Sequence, residues 1–167
     1  MADRDDDQRD DGQRGDDQRG DDQRGDGQGD EAQGQREQER YAAALDAAEE
    51  LLGMRLERFL VRGAGEPDNG ADFKRLATVH TFGDSWPRTD VLDTRARALV
   101  SVTIAAALGT LEPLRGQLRI ALNNGVTAEE IVEVFIHLEA YAGAARAFDG
   151  YRIALQVFAE RAQTDGG

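Results

Sequence analysis

The sequence predicts an all-α fold, a compact helical bundle of five or six helices, and three observations carry that expectation. Apolar residues recur at helical spacing through most of the chain beyond residue 40. No segment alternates apolar and polar residues like a half-buried strand or carries a hairpin turn. Helix stop and start signals alternate along the chain: Gly109, Gly125 and Gly143 close periodic stretches, while Asp93 and Thr127 stand before new ones.

Taken in order, residues 1–36 read as an acidic low-complexity tail. Gly-Asp-Asp-Gln-Arg recurs at Gly15–Arg19 and Gly20–Arg24, and residues 3–30 hold no aliphatic side chain larger than alanine and no aromatic one. Such a segment buries too little apolar area to offset chain entropy, so disorder is expected. The helical domain is expected over residues 37–163. Leu45, Leu52, Leu56, Phe59 and Leu60 mark a first helix running through Leu60. Gly63–Gly70 reads as a loop, after which Asp72 caps a short helix carrying Phe73, Leu76 and Val79. A break is expected at Gly83, and Pro87 keeps the following chain extended. Asp93 is the N-cap of a helix ending at Gly109. Its run from Ala98 to Leu108 is apolar or small on every side, so burial all round is expected. A further helix spans Leu111 to Asn124, with Gly125 suited to a left-handed C′ position. Thr127 and Glu130 then form a capping box for a helix whose face is Ile131, Val134, Phe135, Leu138 and Tyr141. The last helix follows Gly143 and presents Phe148, Tyr151, Leu155 and Phe158. A short chain struggles to cover a helix that is apolar all round, which points to a symmetric homo-oligomer.

The composition excludes several functions. The formal charge is −13. Residues 1–40 hold 15 acidic and 7 basic side chains, so the remainder is only mildly acidic. No basic stripe exists, and nucleic-acid binding is not expected. The chain has no cysteine, which closes disulfides, thiolate metal sites and thiol peroxidase chemistry. The first residues lack the apolar core of a signal peptide, and the apolar run Ala98–Leu108 is too short to span a bilayer. A soluble, cytoplasmic protein that does not enter a membrane is the expectation. No His, Asp and Glu cluster has metal-ligand spacing. No glycine-rich phosphate loop follows a strand.

Several motifs resemble one family. They are Asp72-Phe73, Phe82-Gly83-Asp84-Ser85-Trp86, and Leu92-Asp93 with Arg97-Ala98-Leu99-Val100. The most specific block runs from Leu118 to Gly143 and contains Ala-Leu-Asn-Asn-Gly-Val-Thr-Ala-Glu-Glu-Ile, residues 121–131, and Tyr141-Ala142-Gly143. Over roughly residues 50–160 the chain resembles the carboxymuconolactone decarboxylase family. Its pattern is closer to the γ-carboxymuconolactone decarboxylases than to alkyl hydroperoxidase D. The resemblance implies an all-helical subunit in a trimeric or hexameric ring, with an active site between helices and no metal or organic cofactor. It implies decarboxylation of a small organic anion or lactone. Where the family usually carries a histidine, this chain has Gln117, which cannot exchange protons near neutral pH. Asp84 stands for a glutamate, and no proline follows Gly143.

Decarboxylation beside an unsaturated lactone requires a group that holds the anion, a stabiliser of the developing charge and a proton carrier. The resemblance assigns anion binding to Arg97, which otherwise serves in a salt bridge. His137 is either a proton donor facing a pocket or a hydrogen-bonded histidine of a helix contact. His80 enters the pocket or stays on an exposed loop. Asp84 is an acid or base in a dry cleft, or a helix N-cap. Trp86 walls the pocket over a planar ligand or fills the core. Tyr141 offers its hydroxyl or packs inside, and Gln117 contacts substrate. The catalytic candidates are thus His137, Asp84 and His80; the binding candidates are Arg97, Trp86, Gln117 and Tyr141. Two functions compete: a cofactor-independent lyase that decarboxylates, isomerises or cyclises a small carboxylate or lactone, and a non-catalytic binding or scaffolding member of the same family.

Overall fold

The computed structural model describes residues 26–165. The disorder expected for the tail falls mostly on residues 1–25, which lie outside the described residues. Among those described there are six α-helices and no strand. α1 spans Asp26–Leu52 and therefore begins ahead of Arg36, where order was expected to start. Its early residues are exposed and polar, but Glu, Gln, Arg and Ala are good helix formers that propagate a helix without burying anything. The chain divides between Gln35 and Arg36 into two units, and the second holds the core.

Within that second unit, α1 buries Ala44, Ala48 and Leu52, one per turn. The helix then stops, eight residues short of the expected Leu60. Gly53 takes φ +67 and its N–H donates to the Glu49 carbonyl at 2.8 Å, the left-handed exit that glycine permits. Leu56–Phe59 follows as an isolated 3-10 turn. α2 covers Gly70–Thr78. Asn69 precedes it, so Asp72 sits in the first turn and does not cap.

α3 (Thr94–Leu108) packs against α4 (Leu111–Asn123), α5 (Ala128–Ala142) and α6 (Ala144–Asp165). Asp93 caps α3 by accepting from the Ala96 N–H at 2.7 Å, and Gly109 closes it with φ +68. α3 is not covered all round in a single subunit. Ala98, Val102, Ala105 and Ala106 are buried, whereas Val100, Ile104 and Leu108 form an exposed stripe at i, i+4 and i+8. The Thr127–Glu130 capping box opens α5 with both reciprocal hydrogen bonds formed. Ile131, Phe135 and Leu138 face the core, but Tyr141 is 81% exposed and does not continue that face.

On α6 the buried stripe is Ala147, Gly150, Ala154 and Val157. It has the spacing expected for Phe148, Tyr151, Leu155 and Phe158, shifted by one position. The cause is close approach. A Cβ on Gly150 would lie 2.6 Å from a Phe135 ring carbon and 3.3 Å from Ala106 Cβ, so only small residues fit that crossing. The aromatics are displaced to the flank, where Tyr151 meets Phe135 edge to face at 6.3 Å between centroids. No described helix is long and apolar enough to cross a membrane.

Gly150→Val tests this crossing. Overpacking of a filled site costs about 1–3 kcal/mol, more than the helix propensity regained, so the urea midpoint should fall with little change in slope. An unchanged midpoint would mean that α6 does not approach α5 this closely.

Candidate functional site

α2 does not break at Gly83. It passes into a π-helical segment, Val79–Ser85, in which the Trp86 N–H reaches back five residues to the Thr81 carbonyl at 3.0 Å. The wider turn redistributes side chains around the axis, and such segments are frequent at functional sites. Phe82 faces one pocket. His80 and Asp84 face another. Trp86, 5% exposed, joins the core.

The first pocket encloses about 390 Å3 between α4, the Leu56–Phe59 turn and Phe82. Its walls are Leu56, Phe59 and Phe82; α4 contributes Glu112, Arg115, Gln117 and Arg119. The size suits a small ring compound. α4 can build this face because Leu114, Leu118 and Ala121 are buried on the other side. Gln117 Oε1 is buried without a hydrogen-bond partner; Arg97 Nε is the only other such atom among the described residues. Arg115 donates to Glu160 at 2.8 Å and to Gln156. Arg119 donates to the other Glu160 oxygen at 2.9 Å. Glu160 thereby bridges both guanidiniums and ties α6 to α4.

The second pocket, about 320 Å3, lies among Glu37, Arg40, Arg75, His80 and Asp84. Asp84 neither caps a helix nor sits in a dry cleft: it is exposed and accepts from Arg40 at 3.0 Å. Arg75 pairs with Glu37 at 3.4 Å. His80 is exposed.

The remaining candidates lie apart from both pockets. Arg97 donates to the backbone carbonyls of Arg88 and Leu92, fastening the loop that follows Pro87. His137 and Tyr141 are exposed one turn apart on α5, with ring centroids 4.8 Å from each other. Within one subunit the pockets thus bring together His80 with Asp84, and set Gln117 beside Phe82, but do not unite Arg97, Asp84 and His137. Sequence reasoning passed over Glu112 and Arg115. Their signal was present: positions 112, 115 and 119 recur on one side of α4, opposite its apolar stripe. No group of three or more His, Asp or Glu residues among those described converges as a metal site would.

The Arg119 hydrogen bond, helped by the Arg115 and Arg119 charges, outweighs the opposing effect of desolvation and holds the Glu160 carboxyl below the usual carboxylate range. A carboxyl depressed by folding adds stability above its unfolded value of about 4.3 and loses it as pH falls through the lower folded value. Glu160→Gln should therefore flatten the decline of the urea midpoint between about pH 5 and pH 3. An equally steep decline would show that the bridge carries no pH-dependent stability.

Two comparisons place these features. The carboxymuconolactone decarboxylase family matches residues 71–156, which include the π-helical segment and the whole of α4 and α5. A curated relative, a 4-carboxymuconolactone decarboxylase of Acinetobacter baylyi, is 32% identical over 123 residues, 73% of this chain and 89% of that protein. With an all-helical bundle and a pocket built on α4 within the matched region, the chain belongs to the carboxymuconolactone decarboxylase family.

Proposed function

We propose that the protein is a cofactor-independent carboxy-lyase-type enzyme whose substrate, a small cyclic carboxylate or carboxylated lactone, binds in the pocket lined by Gln117. The observation that carries the reading is the 32% identity across 89% of a 4-carboxymuconolactone decarboxylase. The pocket supports it chemically. Phe59 and Phe82 offer apolar walls to a planar ring. When the bond to the carboxylate carbon breaks, carbon dioxide leaves and the electron pair passes into the unsaturated ring. Arg115, Arg119 and the Gln117 amide N–H are donors for the charge that then appears on oxygen. The carbon finally takes a proton. Glu112 is the carboxyl group within the pocket, and His80 and Asp84 ride on the same segment as Phe82. His137, Tyr141 and Arg97 remain in the proposal only for a site completed by a second copy.

We also infer a cytoplasmic homo-oligomer, trimeric or hexameric. The exposed stripe Val100, Ile104 and Leu108 supports it, because burying such side chains between copies is favourable. Sedimentation velocity at micromolar concentration should return a species larger than one chain, and a monomer would remove this part of the reading.

A second reading, a non-catalytic binding or scaffolding protein, is favoured by one observation: Gln117 cannot move a proton, and no histidine lines its pocket. Turnover of 4-carboxymuconolactone and related carboxylated lactones, followed as carbon dioxide release, separates the two. The enzymatic reading expects release above buffer, with Arg119→Met raising KM roughly tenfold, the worth of one charge-assisted hydrogen bond. Absence of turnover across the panel, unchanged by Gln117→His, would favour the non-catalytic reading.

A further inference from the structure

The 20 basic side chains of the chain include a single lysine, Lys74 on α2. Its ammonium is partly covered and donates to three acceptors: Glu66 Oε2 at 2.7 Å, the Val61 carbonyl at 2.9 Å and the Leu60 carbonyl at 3.4 Å. The same Glu66 oxygen accepts from the Gly63 N–H at 2.7 Å. Arg62 donates to the Glu66 carbonyl at 3.0 Å and to Asp68 at 2.8 Å. Glu66 passes so close to the start of α2 that a Cβ on Gly70 would lie 2.5 Å from its Cγ. Residues 60–70 are thus tied to α2 through one ammonium. A compact ammonium with three rotatable donors serves acceptors that converge on one point, which the flat, spread donors of an arginine match less well. The Lys74 hydrogen bond, followed by that of the Gly63 N–H, holds the Glu66 carboxyl below the usual carboxylate range, so the pair is charged at neutral pH.

The anchored carbonyls directly follow the Leu56–Phe59 turn, which supplies two apolar walls of the α4 pocket. Leu56 leans on the core, but no residue of the turn is fully buried and Phe59 is 63% exposed. Neither Lys74 nor Glu66 lines the pocket. We propose that Lys74 and Glu66 are positioning residues: clamped on the Leu60 and Val61 carbonyls, they hold Phe59 in place as the wall on which the ring of the ligand rests. This deepens the reading of that pocket and rests on it. A short exposed turn released at one end opens locally at little cost. A site whose competent form is populated only part of the time binds more weakly by that fraction. The clamp is set before the ligand arrives, so its loss weakens ground-state and transition-state binding alike, raising KM and leaving kcat nearly unchanged.

The test compares the full chain with Lys74→Met, Phe59→Ala and the double variant. Affinity is read by NMR titration with benzene-1,3-dicarboxylate, and KM and kcat from carbon dioxide release with 4-carboxymuconolactone. Lys74→Met should weaken the probe about tenfold, the cost of ordering roughly one residue anew, and raise KM by a similar factor with kcat held within about twofold. In the Phe59→Ala background the same substitution should change affinity little, because no ring is left to position. Should Lys74→Met fail to fold, Lys74→Met with Glu66→Leu leaves neither charge of the clamp unpaired and should show the same loss and the same dependence on Phe59. A lower urea midpoint with unaltered affinity marks a purely structural pair and overturns the proposal. So does a loss of affinity equally large without the Phe59 ring; either result leaves the pocket as a ligand site. Failure of the probe and the lactone to bind the unaltered protein overturns the pocket reading itself and this inference with it.

Discussion

The one-sided burial of α4 is the constraint on which the rest of the molecule depends. Leu114, Leu118, Ile120 and Ala121 are sealed against the core, and each large apolar side chain so buried is worth about 1.5–3 kcal/mol. With that side fixed, helical geometry turns Glu112, Arg115 and Arg119 outward, while Gln117 lies among the buried positions, between Ile120 and Ala121 around the axis. Arg115 and Arg119 then find Glu160 on α6, and Gln117 borders the gap beneath Phe82. The pocket is therefore a by-product of core packing together with one irregular segment, the π-helical stretch Val79–Ser85, which brings Phe82 across to form its far wall.

That segment also divides the chemistry. A regular helix through residues 79–85 would repeat its side chains every 3.6 residues. On that repeat His80 and Asp84, four apart, share a side and face one pocket, while Phe82, two from each, faces the other. In the second pocket Arg40 pairs with Asp84 and Arg75 with Glu37, while the larger pocket holds Glu112, Arg115 and Arg119 beside an amide oxygen with no partner. The larger of the two pockets is thus nearly balanced in charge.

Much of the fold was legible from local signals. Asp93, Gly109, Gly125 and the Thr127–Glu130 box act through backbone hydrogen bonds with near neighbours, and all four appear where the sequence puts them. What was not legible depends on long-range packing. Gly53 ends α1 although the leucine spacing runs on, because apolar periodicity does not register a single left-handed residue. α6 rotates by one position because Gly150 must clear Phe135 and Ala106, a contact between helices that periodicity cannot report. For the candidate site, what can be compared is where the named side chains lie. Gln117, His80 and Asp84 do line pockets, whereas Trp86 fills the core and Arg97 serves backbone carbonyls. Side-chain type gives chemistry, but direction follows from which face the core has already claimed.

The central claim is that the cavity on the outer face of α4 receives the ligand. Amide and side-chain NMR of the 15N-labelled protein, titrated with a small ring carboxylate, tests it most directly. The account predicts the largest shifts at Gln117, Gly116 and Phe82, with the Gln117 side-chain amide prominent among them. Shifts confined to His80, Asp84 and Arg75, or to His137 and Tyr141, with Gln117 silent, would contradict it.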